Sequence, residues 1–176
     1  MKESKLLLPG SLLLAILVSD QLTKFWAVAN LTQGSLPVFG DFFRLTLVYN
    51  KGGAMGTNVG SPTMYLILAL VILPVLIYYI WSQRESYIMS IPLAMIAGGA
   101  VGNLVDRIRV GQVIDFLDID FFDIDLFGYQ LSRWWTFNLA DAAISCAIVF
   151  LVVYVGIKGQ GPMDKTKLPT MSAPET

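Results

Sequence analysis

The chain has 176 residues, 55% of them hydrophobic and 14% charged, with a net charge of −1. Soluble domains run at about 45–50% apolar and roughly 25% charged, so the composition excludes an ordinary water-soluble domain and indicates a single membrane domain over residues 1–176, without a global field for nucleic acid or an acidic partner. The sequence has no histidine and a single cysteine, Cys146; no metal site, cofactor or disulfide is expected, and any catalysis must run on carboxylates, lysine, tyrosine or hydroxyls.

A span needs about 20 predominantly apolar residues, and four stretches qualify. The first covers about residues 6–27 and is interrupted by Asp20 and Lys24. It is expected to be retained, because no small-residue cleavage site closes it and polar residues follow. Next, "LPVFGDFFRLTLVYNKGGAMG" alternates in "FRLTLVYN" and ends in a glycine pair, which predicts a small extracytoplasmic β element over about 36–58. The second span, about 64–81, carries no charge, and the third covers about 87–105. Pro74 and Pro92 lie inside them, where breakers are tolerated.

Residues 108–134 are expected to form a short amphipathic loop. Within it "VIDFLDIDFFDIDLF" clusters Asp115, Asp118, Asp120, Asp123 and Asp125, and the acids change parity, which predicts a bulge or turn near Phe121 and Phe122. The spacing fails the calcium-loop template because Phe122 stands in it and no glycine follows. The last four acids are therefore expected to be a solvated rim. The fourth span, about 135–157, contains only Asp141 as a charge, and a disordered tail is expected over about 159–176.

The fold class is thus an α-helical integral membrane protein with four transmembrane helices, a small extracytoplasmic β element and a short amphipathic loop. Four spans put both termini on one side. Six Lys and Arg fall on each side, so the positive-inside rule does not orient the chain; cytoplasmic termini are expected from the short Arg84-bearing loop and the resemblance described below.

A carboxylate inside a span costs about 2.5–3.5 kcal/mol at the helix centre, which makes it a functional candidate. Asp20 and Asp141 lie inside spans, and Asp106 and Asp115 lie near the end of the third. Asn138, Asp141 and Ser145 share a face by helical spacing, as do Asn103, Asp106 and Arg107, with Gly98, Gly99 and Gly102 allowing close helix approach. Asp20 with Lys24, and Asp106 with Arg107, are expected to pair and tie helix ends together. Asp115 and Asp141 have no basic residue three or four positions away. If two such acids face each other, one keeps a proton while the other ionises, and the pair can activate water as aspartic proteases do.

"SDQLTK" (19–24), "YNKGGAMG" (49–56), "GGAVGNLVDRIRVGQVIDF" (98–116) and "FNLADAAI" (137–144) resemble, in order and spacing, the motif blocks of bacterial lipoprotein signal peptidase, signal peptidase II. The resemblance extends over about residues 6–157 and implies an inner-membrane aspartic endopeptidase. Such an enzyme removes signal peptides from prolipoproteins, cleaving on the N-terminal side of a diacylglyceryl-modified cysteine. It implies Asp115 and Asp141 as catalytic pair and Asn50, Gly52, Ala54, Asn103, Arg107, Asn138 and Ala140 as substrate-binding or pocket residues. Asp20, Lys24 and Asp106 are implied as structural support. Gly53 and Met55 depart from the commoner Ala and Phe of relatives. The expected partners are a lipid-modified prolipoprotein and membrane lipids, with no nucleic acid, and the chain is expected to act as a monomer.

Two other readings compete. A proton- or cation-coupled carrier also places carboxylates on several spans, but carriers are commonly built from internal repeats with midplane sites, and no repeat is visible here. A noncatalytic assembly subunit with glycine-rich packing faces leaves Asp115 and Asp141 unexplained.

Overall fold

The computed structural model describes residues 5–31, 34–52, 61–120, 124–126, 129–131 and 135–159. Four helices dominate: α1 (Leu7–Asn30), α2 (Pro62–Ser82), α3 (Tyr87–Val110) and α4 (Leu139–Gly159). All four are long and apolar enough to cross a membrane, which bears out the membrane architecture read from composition. Their ends follow local chemistry. Ser61 caps α2 by accepting from the Met64 N–H at 3.2 Å, with Pro62 at the first helical position, where its missing N–H costs nothing. Gly111 ends α3 with φ +73°, a left-handed conformation that only glycine adopts without strain.

Helix α3 is the centre of the bundle and packs against α1, α2 and α4. A Cβ on Gly98 would sit 2.8 Å from the Leu13 carbonyl oxygen of α1, and one on Gly99 would sit 2.6 Å from the Ala140 carbonyl oxygen of α4. Those two contacts need hydrogen in place of a side chain. In contrast, α2 buries none of its residues and leans chiefly on α3. Lys5, just before α1, pairs with Glu85, between α2 and α3, at 3.3 Å. The start of α1 and the α2–α3 turn therefore share one end of the bundle.

At the other end sits a three-stranded antiparallel sheet in the order β1 (Leu36–Phe39), β2 (Phe43–Asn50), β3 (Val113–Ile119). Leu36 pairs with Leu45 across β1 and β2, while Phe43, Leu45 and Asn50 pair with Ile119, Leu117 and Val113 across β2 and β3. An irregularity between Leu45 and Val48 shifts that register. A small apolar cluster of Ala27, Leu31 and Phe116, with Leu45, Leu47 and Leu117 against it, seats the sheet on the end of α1. The stretch read as a loop thus carries structure of its own: β3, then a hairpin of β4 (Ile124–Leu126) and β5 (Tyr129–Leu131).

Asp118 corrects the solvated-rim reading. It is 9% exposed, and its carboxylate accepts from the Thr46 hydroxyl at 2.9 Å. The physical reason is that β3 is not an outer strand: β2 pairs along one edge, and Phe137 forms a bridge to Leu117 on the other. The bulge expected at Phe121 and Phe122, and the tail from residue 160, lie outside the described residues.

Candidate active site

The polar ends of α1, α3 and α4 converge where the sheet meets the bundle. Asp20, Lys24, Asn103, Asp106, Asp115 and Asn138 are all buried. Burial of this many polar groups is tolerable only when each is hydrogen-bonded.

Helix α4 supplies two of them through its first turn. The Asn138 carbonyl oxygen of the side chain accepts from the Asp141 N–H at 2.9 Å, and Asp141 Oδ2 accepts from the Asn138 N–H at 3.3 Å. This reciprocal pair is a capping box. Asn138 therefore precedes the helix rather than sharing a face with Asp141 and Ser145, and Ser145 is exposed.

Strand β3 supplies Asp115. Its Oδ1 accepts from Asn138 Nδ2 at 2.7 Å and its Oδ2 from Asn50 Nδ2, on β2, at 3.0 Å. Asp141 Oδ1 accepts from Asn103 Nδ2, on α3, at 2.8 Å. Both carboxylates therefore contact Asn138, and each of their four oxygens receives one donor. The amides cannot readily turn over, because the other end of each is committed: Asn50 Oδ1 accepts from the Gly52 N–H at 2.9 Å, and Asn138 Oδ1 holds the Asp141 N–H. Burial pushes the Asp115 carboxyl up from the usual carboxylate range to about 7, and the charge of Asp141 adds to the effect against the opposing hydrogen bonds of Asn50 and Asn138.

Behind this pair lies an ionic centre. The Lys24 ammonium bonds Asp20 Oδ2 at 2.9 Å, Asp106 Oδ2 at 2.7 Å and Asn103 Oδ1 at 2.8 Å. The Asp20–Lys24 pair is thus present, whereas the ion-pair partner of Asp106 among the described residues is Lys24 and not Arg107. Neighbours in sequence point about 100° apart around a helix, and Arg107 turns instead to the Asn103 carbonyl at 3.3 Å and to the Tyr65 ring of α2, 5.7 Å from its centroid. Asp106 also accepts from the Ile114 N–H at 3.2 Å, which fixes the start of β3 to α3. Asp20 accepts from the Ala140 N–H at 3.0 Å and so holds the first turn of α4.

Gly102 allows that contact: a Cβ there would sit 2.4 Å from Asp20 Oδ2. Gln21, which the sequence reading passed over, donates toward Asp20 at 3.2 Å, the Gly102 carbonyl at 3.1 Å and Asp106 at 3.1 Å. Its only signal is its place inside "SDQLTK". Of the expected site residues, Ala54 lies outside the described residues. The others come together here, with Gly52 at the rim beside Asn50.

A family model described as signal peptidase (SPase) II matches residues 12–157. The chain belongs to the signal peptidase II family. A lipoprotein signal peptidase of Syntrophus aciditrophicus is 40% identical over 145 residues, 78% of this chain and 85% of that relative. One of Pelodictyon phaeoclathratiforme is 37% identical over 147 residues, 82% of this chain and 87% of the relative. A solved bacterial membrane enzyme superposes with a TM-score of 0.74 at 26% identity, covering 89% of this chain and 92% of that one. Signal peptidase II membership bears out the resemblance read from the four motif blocks and makes the chain a membrane protease rather than a carrier.

Proposed function

We propose that this protease removes signal peptides from diacylglyceryl-cysteine prolipoproteins, cleaving on the N-terminal side of the lipidated cysteine, with Asp115 and Asp141 as its catalytic pair. The observation that carries the reading is the shared contact of both carboxylates with Asn138, at the junction of three membrane helices and a sheet. The catalytic water lies between the two acids. Asp141 takes a proton from it as its oxygen bonds to the scissile carbonyl carbon, while protonated Asp115 gives its proton to the carbonyl oxygen. The tetrahedral intermediate then collapses: the carbon–nitrogen bond breaks, the proton on Asp141 passes to the leaving amine, and one hydroxyl of the intermediate returns its proton to Asp115 as the carbonyl re-forms.

An acid with its proton affinity near neutrality suits the donor role of Asp115, because it carries a proton at working pH and can still release it. Asn50 and Gly52 at the end of β2, with Ala54 beyond, hold the peptide, and backbone pairing with the β element tolerates varied side chains. Asn103, Arg107, Asn138 and Ala140 line the pocket. The lipid chains of the substrate remain in the bilayer, so the scissile bond sits at its surface. The enzyme resides in the bacterial inner membrane with both termini cytoplasmic, the site toward the extracytoplasmic face, and acts as a monomer.

The test is a gel-shift assay of purified enzyme with a diacylglyceryl-modified precursor. Asp115→Asn and Asp141→Asn are each expected to insert and fold but to leave the precursor uncut. Cleavage at the native rate by either variant would reject the pair.

A further inference from the structure

Behind the two acids lies Lys24, a cation whose ammonium is enclosed yet does not touch either of them. Its three donors are matched by three oxygens: Asp20 Oδ2, Asp106 Oδ2 and Asn103 Oδ1. Two of those bonds satisfy charge. The third falls on a neutral amide, and charge neutralisation does not require it. Asn103 Oδ1 also accepts from Asn138 Nδ2 at 3.1 Å, which leaves Nδ2 of Asn103 to face Asp141 at 2.8 Å.

An asparagine amide has two nearly isosteric orientations, and only its hydrogen-bond partners decide between them. Turned over, Asn103 would set its NH2 against both an ammonium and another amide NH2, and would set its carbonyl oxygen against the Asp141 carboxylate. Every contact would then be donor to donor or acceptor to acceptor. We propose that Lys24 is a positioning residue which acts through Asn103, fixing its amide so that a donor always faces Asp141 Oδ1. This rests on the reading of Asp141 as a catalytic residue.

A purely structural Lys24, one that only ties α1 to α3 through Asp20 and Asp106, predicts a different pattern of kinetics, and a double-mutant cycle separates the two. Lys24→Met and Asn103→Ala are each expected to lower kcat by about 100-fold, the range seen when one preorganised donor is lost, with KM nearly unchanged. Because Lys24 acts through Asn103, the double variant is expected to be no slower than the slower single variant, within about threefold. Multiplied losses of about 10,000-fold, or a Lys24→Met enzyme with native kcat, overturn the proposal.

Lys24→Met leaves two buried carboxylates facing each other, so it is also made together with Asp106→Asn, which restores the net charge of the cluster and is expected to show the same kcat loss. A third variant, Asn103→Asp, keeps the oxygen that Lys24 holds and replaces the donor facing Asp141 with a carboxylate oxygen. It is expected to keep its fold and KM while losing kcat, and native kcat there refutes the proposal even if the Lys24 variants do not fold. The Asp115→Asn and Asp141→Asn enzymes run beside these: if they cleave, the catalytic reading itself fails, whereas if they are dead and the cycle multiplies, only the role of Lys24 fails.

Discussion

Replacing Asp115 with asparagine separates stability from chemistry, because the carboxyl it removes is both enclosed and reluctant to ionise. In the unfolded chain the group titrates at its ordinary value of 3.8; in the fold it titrates at about 7. Between those values the native state binds a proton that the unfolded state has released, so native stability falls as pH rises from about 4 to about 7 and is level above. Roughly three pH units of difference correspond to about 4 kcal/mol, and with only 1% of the residue exposed, solvent does not screen this. The asparagine variant lacks that slope. It carries instead a pH-independent loss of about 1–3 kcal/mol: its new NH2 faces a donor from Asn50 or Asn138, and neither can turn over to accept. The variant should therefore melt below the native protein near pH 4 and gain on it by roughly 10 °C between about pH 4 and about pH 8, at 2–4 °C per kcal/mol for a chain of this size. Thermal unfolding in one detergent across that pH series is the assay. Parallel curves, or a variant that loses ground to the native protein as pH rises, would refute the account of Asp115 as an acid destabilised by burial and by Asp141.

The same titration predicts that kcat/KM of the native enzyme falls about tenfold per pH unit above about pH 7, and a flat profile to pH 9 would contradict protonated Asp115 as the proton donor. Gly102→Ala should cost about 3 kcal/mol or more, since its Cβ would press on Asp20 Oδ2 at 2.4 Å in a cluster with no room to yield. Gly10→Ala, with nothing within 4 Å, should instead stabilise α1 by about 0.5–1 kcal/mol; chemical denaturation of both variants tests the contrast. Asp118→Ala should lower stability by about 0.5–1.5 kcal/mol through loss of its hydrogen bond with Thr46, whose hydroxyl keeps its Ser35 partner, with turnover retained. Asp123→Asn and Asp125→Asn should leave precursor cleavage nearly unchanged, and a strong loss would bring the acidic stretch into the site.

The membrane class was legible because apolar length and charge scarcity are properties of composition, and the convergence of polar residues on one end of the bundle followed from where Asp20, Asp106 and Asp141 interrupt or end the spans. What escaped was mostly non-local. Strand β3 exists because "VIDFLDI" pairs with "FRLTLVYN", more than sixty residues earlier in the chain, and neither segment announces that partner. The Asp106 partner was misread for a related reason: proximity in sequence suggested Arg107, but the geometry of a helix sends adjacent residues apart and leaves Asp106 to a lysine on another helix. One miss was local and avoidable. "NLAD" carries the spacing of a helix-start signal, a capping residue followed three places later by an acid, and reading it as mid-helix placed Asn138 on the wrong side of the helix boundary. Asp118 was taken for surface because acids usually are, and its burial depends on β2 and Phe137 flanking its strand.

The one-sided packing of α2 has a consequence for where this enzyme can work. Its 21 residues span about 31 Å, close to the roughly 30 Å of an average hydrocarbon core. None of its residues is fully buried, and its half-buried stripe rests chiefly on α3, so most of its surface is left to lipid and its tilt is open to the thickness of the bilayer. Near its first turn, Tyr65 faces Arg107 beside the acids. Turnover is therefore expected to vary with acyl-chain length in the host bilayer through this helix, and cleavage in vesicles of graded thickness measures it without altering a single residue.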